Sequence, residues 1–515
     1  MEDNLVKNKR IAKNTIMLYF RMALTLIVSL YTSRVVLNTL GVEDYGIYNI
    51  VGGLIVMFSF LNTSMTNACQ KFFSAAVAKN DTITTQKIFS TTLFAHVILA
   101  TVFLVITETI GLWFLYNKMD IPCERFQCST IVYQIIIVNT LFGIFKVPYN
   151  ASIIANEKMN FYAYTSIVES ILKLLIVYLL LVIPVDKLLL YSLLNLSIGL
   201  IMLFWYMLYC NQKFDGNKFS FHYDSTALKE ILSFSGWNVF GSFADLGYKQ
   251  GSNIILNLFY GVSLNAAMGV ANQARSAVFS FVSNLQVAAN PQIIKSYTIE
   301  DYSYFKSLVC RISKYSYYLM LIVAIPLILN TDYILKLWLI TPPAYTNIIF
   351  KLCIVFSLID TLHGPLWTSM QATGKIAIYQ IVISAILLLN LPLCYMSLKC
   401  GGSPEMVIVV QIIVSIVTLI VRMWFSKTQI DIPVSYYLSN VILPVVIVSI
   451  LVIPSVYVLS FYYEETILFL CGSSVACFFI TLLAIYFAGI TKQEKKLFTK
   501  YVRNSLNKLN SHKNL

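Results

Sequence analysis

Polar side chains recur inside segments of this sequence that are otherwise apolar, and they are the ones that could bind or move a charged ligand. The clearest group lies between residues 264 and 290, where the polar residues fall within an arc of roughly 100° if the segment is helical. These residues are Asn265, Asn272, Arg275, Ser276, Ser283, Gln286 and Asn290. Because polar groups are costly inside a membrane, each predicts either the lining of a wet path or a structural hydrogen bond.

Basic residues predominate among the embedded candidates. Arg21 and Arg275 lie deep within apolar segments, whereas Arg34 and Lys71 lie near segment ends, where snorkelling to the membrane surface explains them equally well. A guanidinium group binds phosphate oxygens through two parallel hydrogen bonds, and the contact strengthens where water is scarce. The excess of cations therefore predicts an anionic ligand. The residues assigned to its headgroup are Arg21, Arg34, Lys71, Lys249, Asn272, Arg275 and Gln286.

Three titratable residues are candidates to couple ligand movement to protons or sodium ions. Asp360 and His363 lie one helical turn apart and could exchange a proton, although a satisfied buried pair explains the same spacing. Asp245 is the first candidate for a coupling acid, but Lys249 follows it at the i+4 position and could neutralise it. The sequence thus predicts proton or sodium coupling and no bound cofactor.

Motifs that bind nucleotides or catalyse hydrolysis are missing from the sequence. It contains no HExxH, GxSxG, GxGxxG or Walker A element. The ten cysteines form no CxxC pair and no cluster with histidine, so we expect no metal site; Cys123 and Cys128 share a loop, which leaves a disulfide open. Glu169 and Lys173, four residues apart, are expected to form a structural ion pair. The prediction is a protein that is not an enzyme and has no catalytic residue.

The elements that position these side chains are apolar segments long enough to cross a bilayer. The 515 residues are 58% hydrophobic and 12% charged, and the mean hydropathy is +0.73. The apolar stretches are continuous rather than alternating, which predicts an all-α integral membrane protein. The predicted spans number about 14: residues 14–37, 46–70, 89–116, 129–150, 160–183, 188–210, 229–258, 264–290, 311–330, 346–370, 376–398, 405–425, 436–460 and 466–489.

Charges outside the apolar segments predict the orientation of the chain. Lysine and arginine concentrate in the loops on the N-terminal side and in the tail after residue 490, whereas the opposite loops carry mainly acids. The positive-inside rule then places both termini in the cytoplasm. Since this asymmetry accounts for much of the net charge of +13, no nucleic-acid partner is expected.

Two stretches of the sequence repeat. PYNASIIANEKMNFY, from Pro148, and PLWTSMQATGKIAIY, from Pro365, share five identities in fifteen positions at an offset of 217 residues. A second match, at an offset of about 220, pairs the start of the second span with the start of the eighth. Copies six spans apart cross the membrane in the same direction, which predicts two parallel six-helix bundles and two additional C-terminal helices. The two prolines are the predicted hinges.

The domain boundaries follow from this repeat. They are 1–210 for the N-terminal bundle, 211–228 for a cytoplasmic linker, 229–430 for the C-terminal bundle, 431–490 for the last two helices and 491–515 for a basic cytoplasmic tail.

One segment resembles a known family. Residues 33–81, SRVVLNTLGVEDYGIYNIVGGLIVMFSFLNTSMTNACQKFFSAAVAKND, look like the opening of bacterial Wzx-type polysaccharide (O-antigen) flippases of the multidrug/oligosaccharidyl-lipid/polysaccharide exporter (MOP) superfamily. The resemblance implies bundles in a V shape and alternating access. It implies a cargo of undecaprenyl-pyrophosphate-linked oligosaccharide that crosses the bacterial inner membrane for surface polysaccharide or lipopolysaccharide assembly. It further implies contact with membrane lipids, action as a monomer, and partnership with a glycan polymerase and export machinery.

The resemblance also bears on individual residues. Related peptidoglycan-precursor flippases have pyrophosphate-contacting arginines in the first, second and eighth spans. Arg21 and Arg275 match the first and eighth spans by position, but the second span of this chain has only Lys71, near its cytoplasmic end.

Two other functions compete with this interpretation. A cation-coupled multidrug exporter of the same fold would be expected to have an acidic path, and the basic bias argues against it. A membrane glycan polymerase or ligase would act on the same lipid-linked glycan. Such enzymes usually have a substantial periplasmic catalytic loop, and no loop of this sequence is long enough.

Overall fold

The structure is a computed structural model of the chain. It describes residues 2–56, 59–79, 81–117, 122–217, 224–260, 262–339, 345–491 and 494–495. Within these ranges the chain is helical apart from short turns, and it contains no β-strand. The predicted all-α membrane fold is therefore confirmed.

The first part of the chain folds into seven α-helices. They are α1 (Glu2–Val56), α2 (Ser59–Ala78), α3 (Thr82–Ile106), α4 (Leu112–Asn117), α5 (Cys123–Ala155), α6 (Met159–Val182) and α7 (Lys187–Lys213). The sequence sets several of these boundaries. The carboxylate of Asp81 accepts hydrogen bonds from the backbone N–H groups of Ile83 and Thr84 at the start of α3, and Asp186 caps α7 in the same way.

The rest of the described chain forms twelve further α-helices. They are α8 (Ser225–Tyr260), α9 (Val262–Thr298), α10 (Tyr302–Leu329), α11 (Thr331–Leu339), α12 (Thr346–Asp360), α13 (His363–Thr373), α14 (Ala377–Leu388), α15 (Asn390–Lys399), α16 (Met406–Ile430), α17 (Val434–Tyr437), α18 (Leu443–Ser460) and α19 (Ile467–Ala484). Short π-helical turns extend or join some of them, at Thr107–Gly111, Leu438–Ile442 and Ile485–Gly489.

Eleven helices of the described chain are long and apolar enough to cross a membrane. The three predicted spans that are not among them are 46–70, 229–258 and 264–290. The first of these covers the end of α1 and the start of α2. The other two coincide with α8 and α9, which contain 36 and 37 residues and exceed the roughly 20 residues that a bilayer core requires. Their polar residues lower their hydropathy, which is why these two long helices are not among the eleven.

Two helices are broken where the sequence has a glycine or a proline. In α1 the backbone of Gly41 has φ 81° and ψ 170°, a conformation available to glycine, and the helix changes direction there. The tenth predicted span is divided into α12 and α13, with Thr361 and Leu362 in a turn before Pro365. Proline has no N–H to donate and clashes with the carbonyl four residues earlier, so the break follows from the sequence. Pro148, in contrast, lies inside the continuous helix α5.

The described chain divides into two compact units. Unit 1 comprises residues 1–247, 287–305 and 368–385, and unit 2 comprises residues 248–286, 306–367 and 386–515. Unit 1 has a hydrophobic core that includes the fully buried rings of Phe73, Phe89 and Tyr133. Unit 2 has its own core, which includes Met320 and Phe350. The predicted boundaries of the two six-helix bundles stay a prediction.

The two copies of the repeated stretch make the same turn within unit 1. Glu157, between α5 and α6, has φ 57°, and Gly374, between α13 and α14, has φ 76°. Each donates its backbone N–H to the carbonyl three residues earlier, that of Ile154 or of Gln371. Glu157 and Gly374 are 217 positions apart, as are the two acceptors. The left-handed backbone suits Gly374, whereas Glu157 must be held in it by its contacts.

Candidate functional site

In unit 2, the embedded Arg275 contacts an acid. Its guanidinium nitrogen lies 3.9 Å from a carboxylate oxygen of Asp360, and its carbon lies 4.6 Å from the ring centroid of Phe356. Asp360 is the last residue of α12, where the helix dipole disfavours a negative charge, and the arginine offsets this. The sequence predicts that Arg275 binds the headgroup and that Asp360 takes part in ion coupling. The structure brings the two side chains together.

The break between α12 and α13 is supported by polar side chains from two other helices of unit 2. Gln286, on α9, donates from Nε2 to the hydroxyl of Ser316 at 3.2 Å and to the carbonyl oxygen of Thr361 at 2.9 Å. The ring nitrogen Nε2 of His363 lies 3.0 Å from the hydroxyl of Ser415 on α16. Gln286 and His363 therefore have structural contacts. Their predicted roles with headgroup and proton stay predictions.

Two embedded cations of unit 1 lie over aromatic rings. The guanidinium carbon of Arg21 lies 4.6 Å from the ring centroid of Tyr162. The ammonium of Lys71 lies 3.9 Å from the ring centroid of Phe72 and 5.1 Å from that of Phe234. In such contacts the negative face of the ring attracts the positive charge of the side chain. Arg21 and Lys71 are thus two basic side chains of unit 1 that pack on aromatic rings.

The other predicted binding and coupling residues are placed as follows. Asp245 is half-buried on the part of α8 that belongs to unit 1, and Lys249 and Asn272 are half-buried on α8 and α9 in unit 2. Arg34 belongs to α1, but its side chain lies outside the described residues.

Two polar residues of α8 and α9 accept hydrogen bonds from other side chains of unit 1. The amide oxygen of Asn238 accepts from Gln371 at 3.3 Å and from Gln380 at 3.4 Å. The amide oxygen of Asn290 accepts from the hydroxyl of Thr368 at 3.0 Å. For Asn290 this is a structural hydrogen bond, the alternative to a lining role.

The remaining embedded acids of unit 1 also have donors. Lys173 lies 2.8 Å from a carboxylate oxygen of Glu169, which confirms the predicted i,i+4 ion pair, and Lys146 lies 3.9 Å from the other oxygen. Glu108 accepts a hydrogen bond of 3.1 Å from Gln134. Lys146 lies on α5 and Glu169 on α6, so their spacing in the sequence does not predict this contact.

An ion cluster that sequence reasoning missed lies at the turn between α5 and α6. One carboxylate oxygen of Glu157 accepts hydrogen bonds of 2.7 Å from both Gln292 and Lys295 on α9, and the other lies 3.4 Å from Arg10 on α1. The Glu157 side chain is 2% exposed. Burial by itself raises the pKa of this carboxyl, but the charge and hydrogen bond of Lys295, the hydrogen bond of Gln292 and the charge of Arg10 outweigh it and lower the pKa below its ordinary value.

A second missed cluster lies at the opposite end of α5. Arg125 contacts Asp44 at 2.6 Å and Asp186 at 2.5 Å, and so it joins α1, α5 and the start of α7. The thiol of Cys128 is free and lies 3.8 Å from Asp186. The side chain of Cys123 lies outside the described residues. Across the described part of the chain, no group of three or more His, Cys, Asp or Glu side chains could hold a metal ion.

Sequence comparisons with protein-family models and with curated proteins give no match. Comparison with solved structures, in contrast, gives matches. An outward-facing multidrug resistance MATE family transporter of the MOP superfamily matches with a TM-score of 0.69 over 82% of this chain and 96% of that chain, at 12% identity. A MATE structure in the bent conformation matches with a TM-score of 0.71 over the same shares, at 13% identity.

A third match is a MOP superfamily transporter from Pyrococcus furiosus, for which a reversed polarity of the binding pocket suggests a different function. Its TM-score is 0.68 at 13% identity, again over 82% of this chain and 96% of that chain. The chain is thus a multi-pass membrane protein with a transporter fold. More specifically, the fold is that of the MATE transporters of the MOP superfamily, and at these identities the likeness is one of fold.

Proposed function

We propose that this protein is a flippase that moves undecaprenyl-pyrophosphate-linked oligosaccharide from the inner to the outer leaflet of the bacterial inner membrane. Its fold is that of MOP superfamily transporters, and residues 33–81 resemble Wzx-type members of that superfamily. The fold supports a transporter, and the sequence of residues 33–81 supports a lipid-linked oligosaccharide as its cargo.

The observation that carries the proposal is the charge arrangement of the embedded residues. Asp360 lies against Arg275, and Glu169 lies against the two lysines Lys146 and Lys173. These acids are therefore offset by bases, while Arg21 adds a further positive charge that packs on an aromatic ring. Helices whose embedded acids are offset by bases favour an anionic headgroup. Pyrophosphate oxygens, in particular, accept strong hydrogen bonds from guanidinium groups.

In the proposed cycle, the pyrophosphate and sugars enter the protein while the polyprenyl chain stays in lipid. Arg21 and Arg275 bind phosphate oxygens, and alternating access transfers the headgroup across the membrane. Asp245, Asp360 and His363 are the proposed coupling groups for protons or sodium ions. Both termini face the cytoplasm in this scheme, and a glycan polymerase and export machinery receive the product.

A multidrug exporter is the second candidate. It is favoured by the solved MATE neighbours, one of which is a multidrug resistance transporter. Such a protein would bind organic cations, and it would need acids that are accessible to them. The contact between Arg275 and Asp360 makes this acid less suited to that role.

A complementation experiment separates the two candidates. The gene is deleted in its host and replaced by the wild type, Arg21→Ala, Arg275→Ala or the control Lys173→Ala, whose partner Glu169 keeps a second lysine nearby. Surface polysaccharide, the leaflet in which lipid-linked units accumulate, and resistance to cationic drugs are measured at matched protein levels. We expect both arginine variants to lose export of polysaccharide and the control to retain it. Full export by both arginine variants would overturn the assigned phosphate contacts, and a deletion phenotype confined to drug resistance would overturn the flippase proposal.

A further inference from the structure

Unit 1 contains a polar cavity beside the turn between α5 and α6. Its volume is about 510 Å³, which is within the range of roughly 300–1,000 Å³ that is usual for small-molecule sites. Its lining includes Arg10, Lys13, Asn14, Glu157, Lys158 and Tyr209. We refer to it below as the basic cavity. None of the residues assigned to the transported headgroup belongs to this lining.

The charges around the basic cavity favour an anion. Arg10, Lys13 and Lys158 are all exposed, and they contribute three cations against the one carboxylate of Glu157. That carboxylate is almost fully buried and is held by Lys295 at 2.7 Å. Lys295 offsets Glu157, and Arg10 lies 3.4 Å from the other oxygen of the same carboxylate, so the charges of Lys13 and Lys158 are the ones left to attract a ligand.

The basic cavity also has a buried donor. Asn14 is 4% exposed, and its side-chain nitrogen Nδ2 has no hydrogen-bond partner. A buried N–H without an acceptor is costly, which is why such groups are rare and often mark the place of a ligand or water. A rotation of the Asn14 side chain toward the cavity would present this donor to an anionic oxygen beside Arg10 and Lys13.

The placement of the basic cavity favours a lipid as the source of the anion. Four candidate membrane helices end around it: Arg10–Ser29, Glu124–Ala155, Met159–Val182 and Lys187–Lys213. The ring of Tyr209 stacks on that of Phe161, with centroids 3.5 Å apart and an angle of 11°. Tyrosines at the ends of membrane helices are typical of the level of the lipid headgroups.

We propose that the basic cavity binds the phosphate headgroup of an anionic membrane lipid that is a resident of the surrounding leaflet and not the transported cargo. The lysines and Arg10 contact the phosphate, and Asn14 donates to one of its oxygens. A zwitterionic lipid binds less well, because its choline group brings a positive charge to the same cations. The proposal is independent of which cargo the protein transports.

The test uses the purified full-length protein and native mass spectrometry of lipid adducts. The probes are phosphatidylglycerol, phosphatidylcholine and inorganic phosphate. We expect the wild type to prefer phosphatidylglycerol over phosphatidylcholine, and Lys13→Ala/Lys158→Ala to lose about tenfold or more of that affinity, since each basic residue near the membrane surface adds appreciable attraction.

Lys375→Ala is the matched control. Lys375 is exposed and follows Gly374 in the same way that Lys158 follows Glu157, but it does not line the cavity. We expect it to bind phosphatidylglycerol as the wild type does, and thermal unfolding confirms that each variant is folded. Equal affinity in the double variant and the control overturns the proposal. So does a wild type without headgroup preference, or one that binds inorganic phosphate as tightly as phosphatidylglycerol, which would indicate a soluble anion.

Discussion

The side-chain amide of Gln286 donates a hydrogen bond to the carbonyl oxygen of Thr361, the acceptor that Pro365 leaves without its helical donor. In an unbroken helix this bond would come from the backbone N–H of residue 365. A side chain of α9 therefore replaces a backbone bond that the sequence of α13 cannot make. Buried breaks in membrane helices persist only where neighbouring groups satisfy the freed backbone in this way.

Gly364 is predicted to be required for this contact. A Cβ atom at this position would lie 2.1 Å from Oε1 of Gln286, so Gly364→Ala must displace the amide or the break. We expect a loss of about 2 kcal/mol of stability, typical of overpacking, in thermal unfolding of the purified protein. The control is Gly269→Ala on α9, where a Cβ has no neighbour within 4 Å. Equal stability of the two variants would show that the Gln286 contact does not constrain residue 364.

Gly374 is predicted to be required for the turn between α13 and α14. Its φ of 76° is strained for any residue with a Cβ, and that atom would lie 2.9 Å from the ammonium of Lys71. Since the lysine end can move, most of the penalty comes from the backbone, and we expect Gly374→Ala to cost about 1 kcal/mol. Gly236→Ala, on α8, has an ordinary φ and open space, so its unfolding temperature should equal or exceed that of the wild type. A neutral Gly374→Ala would contradict the left-handed turn.

A double-mutant cycle on Arg275 and Asp360 separates a structural acid from a coupling acid. If Asp360 serves to hold Arg275, then Asp360→Asn destabilises the wild type but has little effect in an Arg275→Ala background. For partly exposed charges 3.9 Å apart we expect a coupling free energy of about 1 kcal/mol, measured by thermal unfolding. Transport is measured in parallel with and without a proton gradient. Additive effects on stability, together with loss of the gradient dependence in Asp360→Asn, would assign Asp360 to coupling instead.

The sequence predicted features that depend on local pattern. Apolar runs gave the membrane helices, and the spacing of Glu169 and Lys173 gave their ion pair, because residues four apart on a helix share a face. Pro365 likewise predicted a break. For residues 229–258 and 264–290 the structure has the long helices α8 and α9, but neither is among the helices apolar enough to cross a membrane.

Contacts between distant parts of the chain could not be predicted in this way. Arg275 and Asp360 were both singled out, yet they are 85 positions apart, and only the packing of α9 beside α12 brings them together. Glu157 was visible only as one residue of a repeated loop. Its burial depends on Gln292 and Lys295, more than a hundred positions away, and no local pattern encodes that distance.

The last prediction concerns the pH dependence that Glu157 confers. In the folded protein the pKa of its carboxyl is lowered from the ordinary value of 4.5, chiefly because Lys295 outweighs the effect of burial. A lowered folded pKa means that the stabilisation is fully present above the ordinary value and is lost as the pH falls through the folded value. Glu157→Gln keeps the shape of the side chain, removes the charge and leaves Lys295 without its carboxylate.

We therefore expect Glu157→Gln to lose about 3 kcal/mol near neutral pH, as is usual when one partner of a buried ion pair is removed. The difference in unfolding temperature between the wild type and this variant should then shrink as the pH falls below 4.5. Other carboxyl groups titrate in both proteins and cancel in the comparison. A difference that persists unchanged into strong acid would mean that the charge of Glu157 does not stabilise the turn, and that Gln292 alone holds the residue in its left-handed conformation.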